Sequence, residues 1–280
     1  MALVNLNDVL KKAQEQKYAV CAFNIENMEM AQAVISAAEE MNAPVILQTT
    51  PSTLRYAEPQ LFFATVNALA QQTKIPVVMH LDHGNSFALA SKAYRIGYTS
   101  VMIDGSKLPL QDNILLTKSV VDMCRPSDVT VEAEIGCIGG KEDALSSDNL
   151  YTVPDEARCF AEATQVDALA VAIGTAHGVY KAKPCLNMER LKEIRQLVDI
   201  PLVLHGTSGV PDGTVKQCIA NGICKVNYAT DLRIAFTKGV THVLEDKAVF
   251  DPKKYMAEGR EAVKACAMAR ISICGSADKA

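Results

Sequence analysis

Short runs rich in valine, isoleucine and leucine recur along the chain, separated by longer amphipathic stretches. Eight runs stand out: Tyr18–Ile25, Pro44–Thr50, Pro76–His83, Ser100–Asp104, Val129–Ile135, Ala168–Gly174, Pro201–His205 and Lys225–Ala229. They are apolar at successive positions, which is the pattern of strands buried on both faces of a parallel sheet. The stretches between them predict helices over Met28–Glu40, Gln60–Gln72, Ser86–Ile96, Asn113–Cys124, Asp155–Thr164, Met188–Leu197 and Asp212–Asn221. Prolines at 44, 76 and 201 open strands where a helix has ended. Eight strand–helix units in 280 residues predict an α/β fold, a (β/α)8 TIM barrel, as one domain over 1–280. The competing open sheet calls for a GxGxxG turn after the first strand, where this chain reads FNIENMEM. Past the eighth strand, Asp251-Pro252 caps an extra C-terminal helical segment running to Ile271. A barrel does not require it, so it either covers one end or crosses to a neighbouring subunit.

Composition adds bounds. Hydrophobic residues make up 49%, enough for a sizeable core, and the net charge is −4. That charge argues against nucleic acid or an acidic membrane as partner, and any anion site must be local. No apolar run approaches the ~20 residues that span a bilayer. The N-terminal stretch lacks a basic segment followed by an apolar one. Nine cysteines without a CxxC pair read as buried free thiols. The expectation is a cytoplasmic protein.

The candidate chemistry sits at strand ends. Of five histidines, His83, His177 and His205 each follow one of the apolar runs. Three imidazoles converging at one end of a barrel form a divalent-metal site with open positions, and zinc suits it best. Asp82 beside His83 is placed to exchange a proton with a substrate hydroxyl. Glu132 and Glu134 share one face of strand five; both need a metal or hydrogen-bonded partner inside a barrel, and Glu134 is the candidate further ligand. Asp104 ends strand four and either supports a ligand or belongs to another metal position. By strand alternation His80 points away from His83, and His242 falls in the last helical region. The polar, glycine-rich stretch Gly136–Tyr151 reads as an active-site loop carrying Glu142, a carboxylate for proton transfer at carbon. Gly206, Ser208, Asn227 and Thr230 after strands seven and eight, with Gly178 and Lys181 after His177, suit a phosphate.

The motifs AFNIEN at 22–27, HLDHG at 80–84, EAEIGCIGGKED at 132–143, AVAIGTAHGVYK at 170–181, VLHGTSG at 203–209 and KVNYATDL at 225–232 occur together and in order. With them the chain resembles the class II metal-dependent ketose-bisphosphate aldolases, in the branch of tagatose-bisphosphate and short-form fructose-bisphosphate enzymes. The resemblance implies Zn²⁺ on His83, His177 and His205, with Glu134 able to approach it. It implies Asp82 working on the C4 hydroxyl and Glu142 on the enediolate carbon. The phosphate on C1 falls to Gly178, Lys181, Gly206, Ser208, Asn227 and Thr230, beside a monovalent cation, Na⁺ or K⁺. Asn24, Gln48 and Thr50 match substrate-side positions, and the assembly is expected to be a homodimer or homotetramer. The products are dihydroxyacetone phosphate and an aldehyde such as glyceraldehyde 3-phosphate.

Two departures bear on the substrate. Ala229 stands where fructose-type members carry Asp, as in tagatose-type members. Lys253 stands where the family has an Arg that reaches a neighbour's site to hold the distal phosphate. Lys is a point charge and Arg a two-pronged donor. The distal group is therefore either a phosphate held more weakly or another anion, such as the sulfonate of 6-deoxy-6-sulfofructose 1-phosphate, with Arg55 and Arg233 as substitute donors. A metal-binding accessory subunit of a two-component aldolase is the reading from another class. A metal-dependent hydrolase would want a His-x-His pair after strand one, where the chain has Asn24.

Overall fold

The computed structural model describes residues 3–136, 151–180 and 184–280. Eight parallel strands close into a barrel in sequence order: β1 Val20–Asn24, β2 Val45–Thr49, β3 Val77–Gly84, β4 Ser100–Ile103, β5 Thr130–Ile135, β6 Ala168–Val171, β7 Leu202–Leu204 and β8 Ile223–Tyr228. The helices are α1 Asn7–Gln16, α2 Met28–Glu40, α3 Pro51–Tyr56, α4 Pro59–Ala70, α5 Phe87–Ile96, α6 Leu110–Cys124, α7 Pro154–Thr164, α8 Met188–Leu197, α9 Asp212–Ala220, α10 Thr230–Leu244 and α11 Pro252–Cys274. The predicted barrel is therefore present, with a C-terminal helical segment. The pattern does not give α1, α3 or α10, and β6 stops at Val171, short of the expected Gly174.

α11 settles as a cover on the barrel's flank. It packs against α2, α9, α10 and β1, rather than across an open end. Its start is as expected: Asp251 caps it by accepting from the Lys253 N–H at 3.0 Å.

The core divides in two. One cluster fills the layer between strands and helices, with Phe23, Leu47, Met79, Phe160 and Ile194 among its members. The other lies inside the barrel at the N-terminal end, where Leu6, Val9, Leu10 and Ala13 of the N-terminal segment close over Val20, Ile46, Val78, Ala170 and Val203. α1 is thus a plug, and each large side chain it buries contributes roughly 1.5–3 kcal/mol. Of the described cysteines, all free, Cys159 and Cys185 are exposed, so the expectation of uniformly buried thiols fails there. Both lie outside the strands whose interior contacts would bury them.

Candidate active site

Above the apolar plug the barrel interior turns polar. His80, Asp82, Glu132, Glu134, His205 and Lys225 are all buried there. β3 delivers two consecutive residues, Asp82 and His83, to one site, which a regular strand cannot do. His83 has φ 48°, in the left-handed region that costs a non-glycine residue energy, and the β3–β4 register shifts between Leu81 and Gly84. The kink swings the His83 ring inward, 4.7 Å from that of His205 and 4.9 Å from that of His177. The same kink corrects the expectation for His80. Alternation from a straight strand set it opposite His83; instead it lies inside the barrel, with Nδ1 2.8 Å from Ser100 Oγ.

One nitrogen-bearing ligand atom from each of His83, His177 and His205 falls within 4.8 Å of the others. His83, Asp104 and Glu134 form a second such group. Two imidazoles are oriented from behind by carboxylates. His83 Nδ1 lies 2.8 Å from Asp104 Oδ2, and His205 Nε2 lies 2.9 Å from Glu132 Oε1. In neutral rings that donate through those nitrogens, Nε2 of His83 and Nδ1 of His205 would keep free lone pairs, the arrangement of metal-ligating histidines. Nδ1 of His205 and Oε2 of Glu134 face each other at 3.0 Å, both buried and neither with a hydrogen-bond partner. Two lone-pair atoms at that separation suit a shared cation, so the donor set fits a divalent ion.

Asp82 is held on both oxygens. Oδ2 accepts from Asn24 Nδ2 at 2.7 Å and Oδ1 from Asn227 Nδ2 at 3.2 Å. Burial pushes its carboxyl up, but His83 and His205 while protonated, together with Lys225 and the Asn24 bond, outweigh it and hold it below the usual range. Asp82 is thus kept as a carboxylate. Gln48 donates to Asn24 Oδ1 at 2.9 Å and has no exposed surface. It stands behind Asn24, and the expectation of a substrate-side Gln48 is corrected accordingly.

A cavity of about 690 Å³ opens over these groups. Asn24, Asp82, His83, Glu134 and His177 line its base, with Gly178, Gly206, Ser208, Asn227, Ala229 and Thr230 along one wall. That wall is built for close backbone approach. Gly206 has φ 62°, and a Cβ there would lie 2.7 Å from the Ala176 carbonyl oxygen. Ser208 Oγ accepts from the N–H groups of Ala229 and Asp231 at the start of α10, so the wall ends on a helix N-terminus. Tyr180, given no part by the sequence, ties the wall together: its hydroxyl accepts from Ala176 N at 2.7 Å and donates to Gly206 O at 2.8 Å. Thr50, Arg55, Lys107 and Arg233 line the rest. Lys107 is a further cation unmarked in the sequence, because nothing in a lone loop lysine shows which way it faces. Arg233 is paired with Glu26.

Other residues singled out in the sequence lie outside this cavity or outside the described residues. Lys253 is exposed, with Nζ 2.9 Å from Asp251 Oδ1, and does not line this cavity. His242 is on α10, 3.8 Å from Glu245. Glu142 and Lys181 fall outside the described residues. Lys225 was read only as the start of a strand. Its signal was a lysine two positions before Asn227 on one strand face, which in a barrel demands a carboxylate.

Likeness to known proteins gives the family. Residues 4–279 match the family described as fructose-bisphosphate aldolase class-II. The YdjI aldolase of Escherichia coli K12 is 37% identical over 99% of both chains, with a TM-score of 0.90. A putative fructose-1,6-bisphosphate aldolase from Coccidioides immitis is 28% identical over 98% of this chain and 97% of its own, with a TM-score of 0.89. A fructose-bisphosphate aldolase from Campylobacter jejuni, 23% identical over 100% of this chain and 97% of its own, shares the fold with a TM-score of 0.85. A family match over nearly the whole length, joined to the strand-end histidines and their carboxylates, shows that this chain belongs to the class II fructose-bisphosphate aldolase family and is an aldolase, a carbon–carbon lyase.

Proposed function

We propose that the chain reversibly cleaves a ketose 1,6-bisphosphate, of tagatose or fructose type, to dihydroxyacetone phosphate and an aldehyde such as glyceraldehyde 3-phosphate, with one Zn²⁺ per subunit. The observation that carries this is the convergence of His83, His177 and His205 beside a carboxylate held ionised, Asp82. His83, His177 and His205 would hold the ion, with Glu134 as a further ligand. A divalent cation supplies a Lewis acid for the substrate carbonyl and for the charge of the enediolate. Asp82, fixed by Asn24 and Asn227, takes the proton of the C4 hydroxyl as the C3–C4 bond breaks. Proton transfer at the enediolate carbon is assigned to Glu142 by family resemblance. Gly178, Gly206, Ser208, Asn227, Ala229 and Thr230 supply the wall for the C1 phosphate, with Lys181 added by resemblance and Na⁺ or K⁺ as accessory cation. The assembly is proposed to be a homo-oligomer in the cytoplasm, in which Lys253 serves a neighbouring subunit's site.

A second reading keeps the chemistry and changes the distal anion to a sulfonate or carboxylate. Lys253 where the family has Arg favours it, while Arg55 and Lys107 at the cavity would serve either anion. The experiment is cleavage of fructose 1,6-bisphosphate, tagatose 1,6-bisphosphate and 6-deoxy-6-sulfofructose 1-phosphate by zinc-loaded protein, with and without EDTA. EDTA-sensitive cleavage of one bisphosphate above the others supports the first reading. Preference for the sulfonate supports the second, and metal-independent or absent cleavage overturns both. Arg55→Ala should raise KM for the preferred substrate without lowering kcat.

A further inference from the structure

Lys225 has no exposed surface and places its amine within the barrel. Its Nζ lies 2.9 Å from Glu132 Oε2 and 2.9 Å from Asn227 Oδ1. Each partner has a second arm that ends on the active site. Glu132 turns Oε1 to His205 Nε2 at 2.9 Å, and Asn227 turns Nδ2 to Asp82 Oδ1 at 3.2 Å. A buried ion pair is a poor way to gain stability, because desolvation offsets the attraction and apolar side chains would serve as well. The lower half of this same barrel is filled with apolar side chains. The pair therefore has a use other than filling space.

We propose that Lys225 is a positioning residue that orients a candidate metal ligand and the proton-transferring carboxylate together. By holding Glu132 Oε2 it presents Oε1 to His205, which places the imidazole proton on Nε2 and frees Nδ1 for the ion. By donating to Asn227 Oδ1 it fixes the amide so that the NH₂ faces Asp82; the flipped amide would set oxygen against oxygen. His80 cannot take its place, since its Nε2 lies 3.7 Å from Glu132 Oε2 and it does not bridge to Asn227. This rests on the metal site proposed above.

Three variants test it: Lys225→Met, of similar length without charge; Glu132→Gln; and the charge-balanced double variant. The readouts are the zinc dissociation constant by competition with a chromogenic chelator, kcat and KM at saturating zinc, and the thermal midpoint. Lys225→Met should weaken zinc binding about 10–100-fold and lower kcat at saturating zinc by about 10–100-fold with KM unchanged. Glu132→Gln, which leaves the Asn227 arm in place, should lose zinc affinity with a smaller loss of kcat. The double variant should keep both losses although its core charge is balanced. A double variant that folds with wild-type zinc affinity and kcat overturns the proposal, and it decides the matter if Lys225→Met does not fold. A fall in thermal midpoint alone also overturns it. A wild-type chain that takes up no divalent ion overturns the function proposed above, whereas Lys225→Met matching a zinc-binding wild type overturns only the positioning role.

Discussion

The two halves of the barrel interior are built from the same eight strands and filled in opposite ways. At the N-terminal end, Val20, Ile46, Val78, Ala170 and Val203 meet the α1 plug. A few residues further along the same strands, Gln48, Asn24 and Asp82 form a hydrogen-bonded chain, His80 bonds Ser100 beside it, and His205 bonds Glu132 just past β7. The lower half gains stability by removing apolar surface from water. The upper half spends stability to hold polar groups in fixed orientations, including a non-glycine residue at positive φ, His83. Binding chemistry and fold stability are thus separated along the barrel axis, within one continuous set of strands.

The sharpest way to break that separation is a change in each half. Asp82→Asn removes the proposed base, so kcat should fall by about 10²–10⁴-fold in a chain that still folds; steady-state cleavage and urea unfolding check both. Leu10→Ala in the plug should do the reverse. It should cost about 2–5 kcal/mol of stability, read by urea unfolding, while kcat of the folded protein stays at the wild-type value.

His80 belongs to the costly half, and its burial makes stability depend on pH. Burial lowers its pKa from 6.5 to about 3, helped by the Lys225 charge. The unfolded chain then binds a proton between pH 6.5 and 3 that the folded chain does not, so stability falls as pH drops through that window. His80→Gln should remove this contribution: wild type should lose up to ~3 kcal/mol relative to the variant between pH 7 and pH 4, measured by urea unfolding at each pH. The smallest effect is expected outside both halves. Asn187 caps α8 by accepting from Arg190 N at 2.9 Å, and Asn187→Ala should cost about 1 kcal/mol with cleavage unaffected.

The eight-strand order, the strand-end placement of His205 and the adjacency of Asp82 and His83 are legible in the residues alone. Unbroken apolar runs have only one good solution, a sheet buried on both faces, and strand ends then share one rim. Asp251 is legible there as a helix cap too, since capping is local. The folded chain alone shows which way His80 and His83 point. One left-handed residue resets the alternation, and no periodicity of two reveals it. The folded chain also shows that Gln48 stands behind Asn24, that Tyr180 joins two loops, and that Lys225 meets Glu132. These contacts join residues distant in the chain whose types are common, so neither spacing nor composition marks them. They follow from the register in which the closed barrel brings its strands together.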